Sequence, residues 1–265
     1  MNPATSTRAP RPAGKVWLIG AGPGDAELLT LKAARVLGEC TIWLVDDLVG
    51  PGILEMAPAR TRIVKVGKRG GCASTPQEFI LRLMARYARA GHTVARLKGG
   101  DPFIFGRGGE EMAWLNSRGI QVESVSGITA GLAVGGALGL PLTHRGVSRG
   151  VSLVTAHTVD GASPDWRALA RSGLTIVCYM GMSRADKLAA ELMAAGFPAA
   201  LPVAVVQNVS CASQRHIATT LQHLARDIEA HRLGSPAVIV LGEVVGHSLS
   251  LPGSAAQADP QQRFG

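Results

Sequence analysis

Apolar runs rich in β-branched residues alternate with segments of helical periodicity along most of this chain. The run VWLI at residues 16–19 precedes a helical pattern that contains Leu28, Leu31 and Leu37, and the alternation continues to VIVL at residues 238–241. Strands that alternate with helices predict α/β units whose strands are buried and largely parallel. The sequence therefore predicts an α/β protein, which we divide into two α/β domains.

The loop LTHRGVSRG at residues 142–150 is the best candidate for a domain boundary. We predict an N-terminal α/β domain over residues 14–145 and a C-terminal α/β domain over residues 146–250, both within the usual size range. In the second domain, TTLQHLARDIEAH at residues 219–231 is predicted to be helical. Residues 1–13 and 251–265 are predicted to be disordered tails.

The formal net charge of +8 over 265 residues indicates an anionic partner. Nucleic acid, an anionic membrane surface and a polyanionic small substrate are the three candidates. Nucleic-acid binding is disfavoured because no Lys/Arg-rich run is present and aromatic residues are few and not interleaved with basic ones. Cationic residues cluster instead on loops, chiefly on LTHRGVSRG between the two predicted domains, where they can face one cleft, and Arg and Lys in such loops suit a ligand with several carboxylates.

A stretch of twenty uncharged residues, SVSGITAGLAVGGALGLPLT at 124–143, resembles a membrane span at first sight. It contains Gly131 and Gly135 at the spacing of a transmembrane packing motif. Its glycines, proline and hydroxyl residues make it too polar for that role, so we predict a buried small-residue helix packed on a sheet, and no membrane contact.

The four cysteines, Cys40, Cys72, Cys178 and Cys211, form no Cys-x-x-Cys pair. Neither a zinc site nor a disulfide framework is expected, and no other spacing suggests a metal. This use of cysteine fits a reducing compartment, and we expect a cytoplasmic protein.

The loop GAGPGD at residues 20–25 resembles a dinucleotide-binding fingerprint but departs from it. Asp25 stands where the fingerprint has its last glycine, and Pro23 removes a backbone N–H that a pyrophosphate would use. NAD or FAD binding is therefore disfavoured, and a tight turn between strand and helix is the structural alternative.

Two further loops carry candidate chemistry. Asp46 and Asp47 follow the run TIWLV; adjacent carboxylates point apart, so one is a candidate general base and the other a turn cap. In RLKGGDPFIFGRGGEE at residues 96–111, Gly99 and Gly100 can place backbone against a ligand, and Asp101 can accept hydrogen bonds from a ribose or balance a cation. The two glutamates that end this segment are explained by the dipole of the helix that they open.

Several motifs occur in an order that resembles the tetrapyrrole methylases of the uroporphyrinogen-III C-methyltransferase type. They cover residues 14–245 and read VWLIGAGPGDAELLTLKAARVL, VGKRGG, RLKGGDPFIFGRGGEE, GITA, GLPLTHRG, YMGM and GEVV. The combination of GGDPFIFGRGGEE with PLTHRG is highly specific. The resemblance implies two α/β domains with the active site in the cleft between them, and a homodimer.

The resemblance also implies a reaction. S-adenosylmethionine would be the co-substrate, and no metal would be needed. Uroporphyrinogen III would be methylated at C2 and C7, giving precorrin-1 and then precorrin-2, for sirohaem or cobalamin biosynthesis. The alternatives are a methylase of the same fold that acts on a later corrin intermediate, a non-catalytic tetrapyrrole carrier and an RNA methylase; the PLTHRG loop argues against the first and the scarcity of stacking aromatics against the last.

Site residues follow from the resemblance position by position. Asp46 would be the proton acceptor and Lys68 the proton donor. Arg107, His144, Arg145 and Arg149 are instead predicted to bind the substrate because they are cationic side chains on loops, which suit a ligand with several carboxylates. The co-substrate would contact Pro23, Gly99, Gly100, Asp101, Ile104, Thr129, Ala130, Met180, Val209 and Ala237.

Three departures from the family pattern accompany this assignment. Asp47 stands where the family usually has arginine, Ser126 where it has proline, and QNVS at residues 207–210 where it has ENGT. The first departure changes the charge beside Asp46. The last makes the contact with Val209 the weakest of the set.

Overall fold

A computed structural model of the chain describes residues 14–67, 75–156 and 162–251. Within these ranges the chain divides by packing into two compact units, each built on a five-stranded sheet with helices. Unit 1 contains the residues up to Gly22 and 26–127, and unit 2 contains residues 23–25 and those from Ile128 onward. The predicted α/β class with two sheets is confirmed.

The sheet of unit 1 is parallel at every strand pair, as predicted for strands joined by helical crossovers. The spatial order is β3-β2-β4-β1-β5, which places β4 at the centre. In chain order the strands are β1 (Val16–Gly20), β2 (Ile42–Val45), β3 (Arg62–Lys65), β4 (Val94–Lys98) and β5 (Val122–Val125).

Apolar cores lie on both faces of this sheet, since alternate residues of a strand point to opposite sides. On β4, Ala95 and Leu97 join the core that contains α1, and Val94 joins the core that contains α3 and α4. The described helices of unit 1 are α1 (Leu31–Glu39), α2 (Pro51–Glu55), α3 (Gln77–Arg89) and α4 (Gly108–Asn116).

The sheet of unit 2 is mixed, and here the prediction of largely parallel strands is wrong. Its order is β6-β7-β10-β8-β9, and β6 with β7 is its parallel pair, whereas β10 runs antiparallel to both of its neighbours and β9 antiparallel to β8. The strands are β6 (Val151–Thr155), β7 (Thr175–Tyr179), β8 (Pro202–Gln207), β9 (Arg215–Thr220) and β10 (Ala237–Leu241).

Strand β9 was not expected from the sequence. It ends within the segment predicted to be helical, and helix begins only after Thr220, first as a 3₁₀ turn and then as α8. Because β9 lies at the sheet edge and buries Ile217 alone among its residues, its sequence lacks the apolar run that marked the other strands. The helices described in unit 2 are α5 (Ala130–Leu138), α6 (Trp166–Ser172), α7 (Ala185–Ala194) and α8 (Leu224–Ala230).

The uncharged stretch at residues 124–143 contains the end of β5, a turn and the nine-residue helix α5. This helix packs against β7 and β10, with Gly131 close to Tyr179 and Val177. Residues 128–145 therefore pack with unit 2, whereas the predicted boundary assigned them to the N-terminal domain. No helix among the described residues is long and apolar enough to span a membrane.

Candidate active site

In unit 1 the loops that follow β1 and β4 are joined through backbone hydrogen bonds. The Gly100 N–H donates to the Gly22 carbonyl at 2.7 Å, and the Gly22 N–H donates to the Gly100 carbonyl at 3.2 Å. Gly100 has a φ of +68°, in the left-handed region that favours glycine. The predicted ligand-facing backbone of Gly100 is therefore already paired within the protein.

The loop after β5 packs against the same place. A Cβ on Gly127 would collide with the Gly100 carbonyl oxygen, and one on Gly99 would lie 2.5 Å from the Leu48 Cβ. The Asp101 carboxylate holds this arrangement together, since it accepts the Phe103 N–H at 2.8 Å and the Gly127 N–H at 3.0 Å. Each carboxylate oxygen retains a second lone pair, so contact between Asp101 and a polar ligand stays a valid prediction.

The segment between Asp101 and α4 exposes apolar side chains from a strained backbone. Phe103, Ile104 and Phe105 are all partly open to solvent, and Phe105 and Arg107 have positive φ values of 53° and 58°. Such conformations cost energy for side chains larger than glycine and are most common at functional sites. This loop can therefore offer an apolar surface to a ligand.

Arg107, predicted to bind substrate, lies at the start of α4 and pairs with Glu110. The Nη2–Oε2 distance is 2.6 Å, and this hydrogen bond lowers the pKa of the Glu110 carboxyl. Both side chains are more than half exposed. An anionic substrate that binds Arg107 therefore competes with Glu110.

Asp46 and Asp47 follow β2, and their carboxylates point in different directions. Asp46 accepts the Arg96 Nη2–H at 3.3 Å through Oδ2 and the Asp47 N–H at 3.2 Å through Oδ1, and its side chain is 35% exposed. Asp47 lies beside Gly67 instead. Asp46 thus combines a fixed orientation with access to solvent, as a general base requires. Lys68, the predicted proton donor, lies outside the described residues.

Glu111 is a site residue that sequence reasoning missed. It was assigned to the helix dipole, but its side chain is fully buried and contacts Arg96 and Lys98. A signal did exist in the sequence: two cations two positions apart on a buried strand face the same way and require a buried counter-charge. Which residue supplies that charge cannot be read from the sequence.

In unit 2 three predicted co-substrate residues lie together at one end of the strands β7, β10 and β8. Met180 follows β7, is 51% exposed and has a φ of +57°. Ala237 begins β10 opposite Gln207, the last residue of β8, and Val209 comes two residues after that. Because the Val209 side chain is buried in the core, its backbone is the part that a ligand could reach.

Thr129 and Ala130 stand at the start of α5, where Tyr179 organises the backbone. The Tyr179 hydroxyl accepts the Gly131 N–H at 2.7 Å and is hydrogen-bonded to the Thr129 hydroxyl at 2.7 Å. Burial raises the pKa of Tyr179, so it stays protonated at neutral pH. Sequence reasoning had not singled out Tyr179, because its partner lies fifty residues away along the chain.

Pro23 belongs to the short segment that packs with unit 2. There the Asp25 N–H donates to the Ser210 hydroxyl at 3.2 Å, and Gly24 lies against Cys211. Helix α1 does not begin until Leu31, after Thr30 has capped it. A dinucleotide pyrophosphate normally rests on a helix that starts directly in such a loop, so this geometry differs from the NAD-binding arrangement.

The predicted cationic loop after α5 is exposed at His144, Arg145 and Arg149. The His144 ring stacks on that of His247 with centroids 4.4 Å apart and an interplanar angle of 24°. Both histidines line an open depression of about 640 Å³. Unit 2 therefore carries a surface with two exposed arginines, Arg145 and Arg149, and two stacked imidazole rings.

The chain is similar to one known protein family and to several of its characterised members. Residues 15–225 match the family described as Tetrapyrrole (Corrin/Porphyrin) Methylases. The chain is 56% identical to uroporphyrinogen-III C-methyltransferase of Pseudomonas aeruginosa, over 91% of this chain and 98% of that protein. It is 44% identical to siroheme synthase 2 of Aeromonas hydrophila over 90% of this chain, and spans 50% of that relative's length.

A solved structure agrees in fold. The uroporphyrin-III C-methyl transferase of Thermus thermophilus, crystallised with S-adenyl homocysteine, is 42% identical and superposes with a TM-score of 0.76. The match covers 88% of this chain and 93% of that one.

Proposed function

The chain belongs to the tetrapyrrole (corrin/porphyrin) methylase family, and on this premise we propose that it is a uroporphyrinogen-III C-methyltransferase. It transfers methyl groups from S-adenosylmethionine to C2 and C7 of uroporphyrinogen III, giving precorrin-1 and then precorrin-2. The observation that carries the proposal is the identity with the Pseudomonas aeruginosa protein of that name, which extends over nearly the full length of both chains.

The residues present suit S-adenosylmethionine. Ile104 in unit 1 and Met180 in unit 2 expose apolar surface on loops that follow strands, and both belong to backbone segments that contain left-handed conformations. Apolar walls with a few fixed polar groups are typical of small-molecule sites. Asp101 and Thr129 would supply fixed polar groups of this kind.

When bound, the co-substrate supplies a methyl group already activated on a sulfonium. A C–C bond forms to the electron-rich pyrrole carbon while the C–S bond breaks, and its electron pair stays on sulfur. The chain's residues have to align the two reactants and exclude water, which can supply much of the rate.

Asp46 would complete each methylation by accepting the proton that the methylated tetrapyrrole loses. Its carboxylate is oriented by Arg96 and by the Asp47 N–H, and remains open enough to meet a substrate. Lys68 is proposed as the proton donor on the strength of the resemblance alone.

Uroporphyrinogen III carries carboxylates on every ring, so its binding needs several cations. Arg107, Arg145 and Arg149, with His144, are exposed in their respective units and are the proposed ligands of these carboxylates. We further propose a cytoplasmic homodimer whose product serves sirohaem or cobalamin biosynthesis. Free, buried Cys40 and Cys178 are compatible with a reducing compartment, and sedimentation equilibrium would test the dimer.

The deciding experiment is an anaerobic incubation with uroporphyrinogen III and S-adenosylmethionine that carries a labelled methyl group. We expect the label in the tetrapyrrole and a product with the mass of two added methyl groups. A carrier protein would bind the tetrapyrrole without transferring label. Label transfer only to a later corrin intermediate would replace the proposal with its closest alternative.

A further inference from the structure

A cluster of charged side chains is buried in unit 1 and contacts Asp46 through one of its members. It contains Arg96 and Lys98 from β4 and Glu111 from α4, and these three side chains are at most 5% exposed. A charge removed from water is costly unless it is paired and hydrogen-bonded, so this arrangement needs an explanation.

Arg96 is the member of the cluster that reaches the candidate base. Its Nη2 donates to Asp46 at 3.3 Å, its Nε donates to Glu111 at 3.3 Å, and its Nη1 donates to the Leu97 carbonyl at 3.2 Å. A planar guanidinium can make these bonds in three directions at once, whereas a lysine ammonium on a flexible stem cannot hold the same geometry.

Glu111 anchors Arg96 from the opposite side. Its Oε1 accepts from Arg96, from the Lys98 Nζ at 3.2 Å and from the Gln77 Nε2 at 2.9 Å, while its Oε2 is buried with no hydrogen-bond partner among the described residues. Lys98 therefore shares Glu111 with Arg96 but makes no hydrogen bond to Asp46.

We propose that Arg96 is a positioning residue for methyl transfer, which fixes the Asp46 carboxylate in the orientation that accepts the substrate proton. The inference rests on the proposed function, because it assigns Arg96 to the base of that reaction. Both Asp46 oxygens are fixed, one by Arg96 and the other by the Asp47 N–H, so loss of Arg96 frees the carboxylate to rotate.

The test compares R96K with K98M in the full chain. R96K keeps a cation opposite Glu111 but loses the Nη2 hydrogen bond to Asp46, and a misplacement of about 1 Å can cost about 10²-fold in rate. We expect kcat to fall by about that factor, with KM for both substrates and the calorimetric Kd for S-adenosylmethionine nearly unchanged. K98M removes another buried cation from Glu111 and should lower the unfolding temperature while leaving kcat near wild type.

A double-mutant cycle separates positioning from a general structural effect. If Arg96 acts through Asp46, R96K should cost little more in the D46N background than D46N alone. Wild-type kcat in R96K, or an undiminished loss in the D46N background, would overturn the inference. Wild-type protein that does not methylate uroporphyrinogen III would overturn the proposed function as well. R96M is a further variant that also removes the charge. If R96M does not fold, the kcat of R96K is sufficient to test the inference.

Discussion

The contrast between Asp46 and Asp47 is the sharpest feature at the scale of single residues. Both are carboxylates that follow β2, yet Asp46 is held by Arg96 whereas Asp47 lies beside Gly67. A general base needs an orientation toward its substrate as well as a charge. Both aspartates are candidates for the general base because they directly follow β2. Asp46 is distinguished by the hydrogen bonds that orient its carboxylate.

We expect D46N to lower kcat by about 10²–10⁴-fold, the usual cost of removing a general base, and D47N to lower it far less. Neither substitution should change the affinity for S-adenosylmethionine, which calorimetry would measure. Equal and small losses of kcat in the two variants would mean that neither carboxylate is the base.

Lys98 gives a residue-scale prediction about stability and pH. Burial, and then the nearby Arg96 charge, lowers its pKa below the ordinary value of 10.5, against the opposing effect of Glu111 and Asp46. Between the folded pKa and 10.5 the unfolded chain binds more protons than the folded chain, so the contribution of Lys98 to the free energy of unfolding rises with pH. This contribution is lost as the pH falls through the pKa that Lys98 has in the folded chain.

Thermal unfolding of wild type and K98M across this range measures the effect. The difference between their unfolding temperatures should widen as the pH rises toward 10.5, because the other titrating groups are common to both proteins and only the wild type carries Lys98. A difference that stays constant or narrows with pH would show that the pKa of Lys98 is not lowered.

Sequence reasoning at this scale depends on local information. Asp46 and Asp47 could both be named as candidates because they directly follow an apolar run, and only the family resemblance pointed to Asp46; the structure places both directly after β2. Glu111 and Tyr179 could not be selected, because their roles depend on partners brought close by the sheet and the helices that cover it. The two cations on β4 indicate that a buried counter-charge exists, but a single sequence does not show which distant residue supplies it, nor which residues bond to the Tyr179 hydroxyl.

Helix α5 shows the same limit at the scale of elements. Its glycines look alike in sequence, but a Cβ on Gly131 would meet the Val177 Cγ1 at 2.6 Å and collide with the Tyr179 hydroxyl, whereas one on Gly136 would meet nothing within 4 Å. Gly131 is therefore required for the close packing of α5 on β7, and Gly136 is not.

We expect G131A to lower the free energy of unfolding by about 1–3 kcal/mol through overpacking. G136A in the same helix should raise it by roughly 0.5–1 kcal/mol, since alanine favours helix. Urea titrations of the two variants give the comparison. If both substitutions stabilise the protein, α5 does not pack on β7 as described.

The strands divide into those that the sequence predicts and those that it does not. In unit 1 each strand is an apolar run or precedes a recognisable helix, so a parallel sheet follows from general connection rules. In unit 2 the short link from residue 208 to residue 214 allows β9 to return antiparallel on β8, and β10 enters between β7 and β8. Neither step depends on hydrophobic periodicity, which was the evidence used to predict direction.

At the scale of the whole molecule, the predicted site residues are distributed over both packed units. Asp46, Asp101 and Arg107 belong to unit 1, while Met180 and the basic loop at residues 142–150 belong to unit 2. A net charge of +8 gives the whole chain an attraction for a polyanion that no single arginine provides. The rate of encounter with a polyanionic substrate is therefore expected to depend on the charge of the whole molecule, whereas the rate of the chemical step depends on a few residues.

Long-range attraction is screened by salt, and the Debye length shrinks from about 30 Å at 0.01 M to about 10 Å at 0.1 M. If the charge serves a polycarboxylate substrate, kcat/KM should fall as ionic strength rises, while kcat, which describes the bound complex, should change little. Stopped-time assays with uroporphyrinogen III over this salt range measure both constants.

Matched variants then locate the effect. R145A and R149A should weaken tetrapyrrole binding and flatten the salt dependence without weakening S-adenosylmethionine binding. R171A, which removes the same charge from an exposed position on α6, should change kcat/KM much less. A porphyrinogen with fewer carboxylates should also be a poorer substrate. Should kcat/KM be indifferent to salt and to carboxylate number, the basic charge serves another partner, and nucleic acid becomes the first candidate.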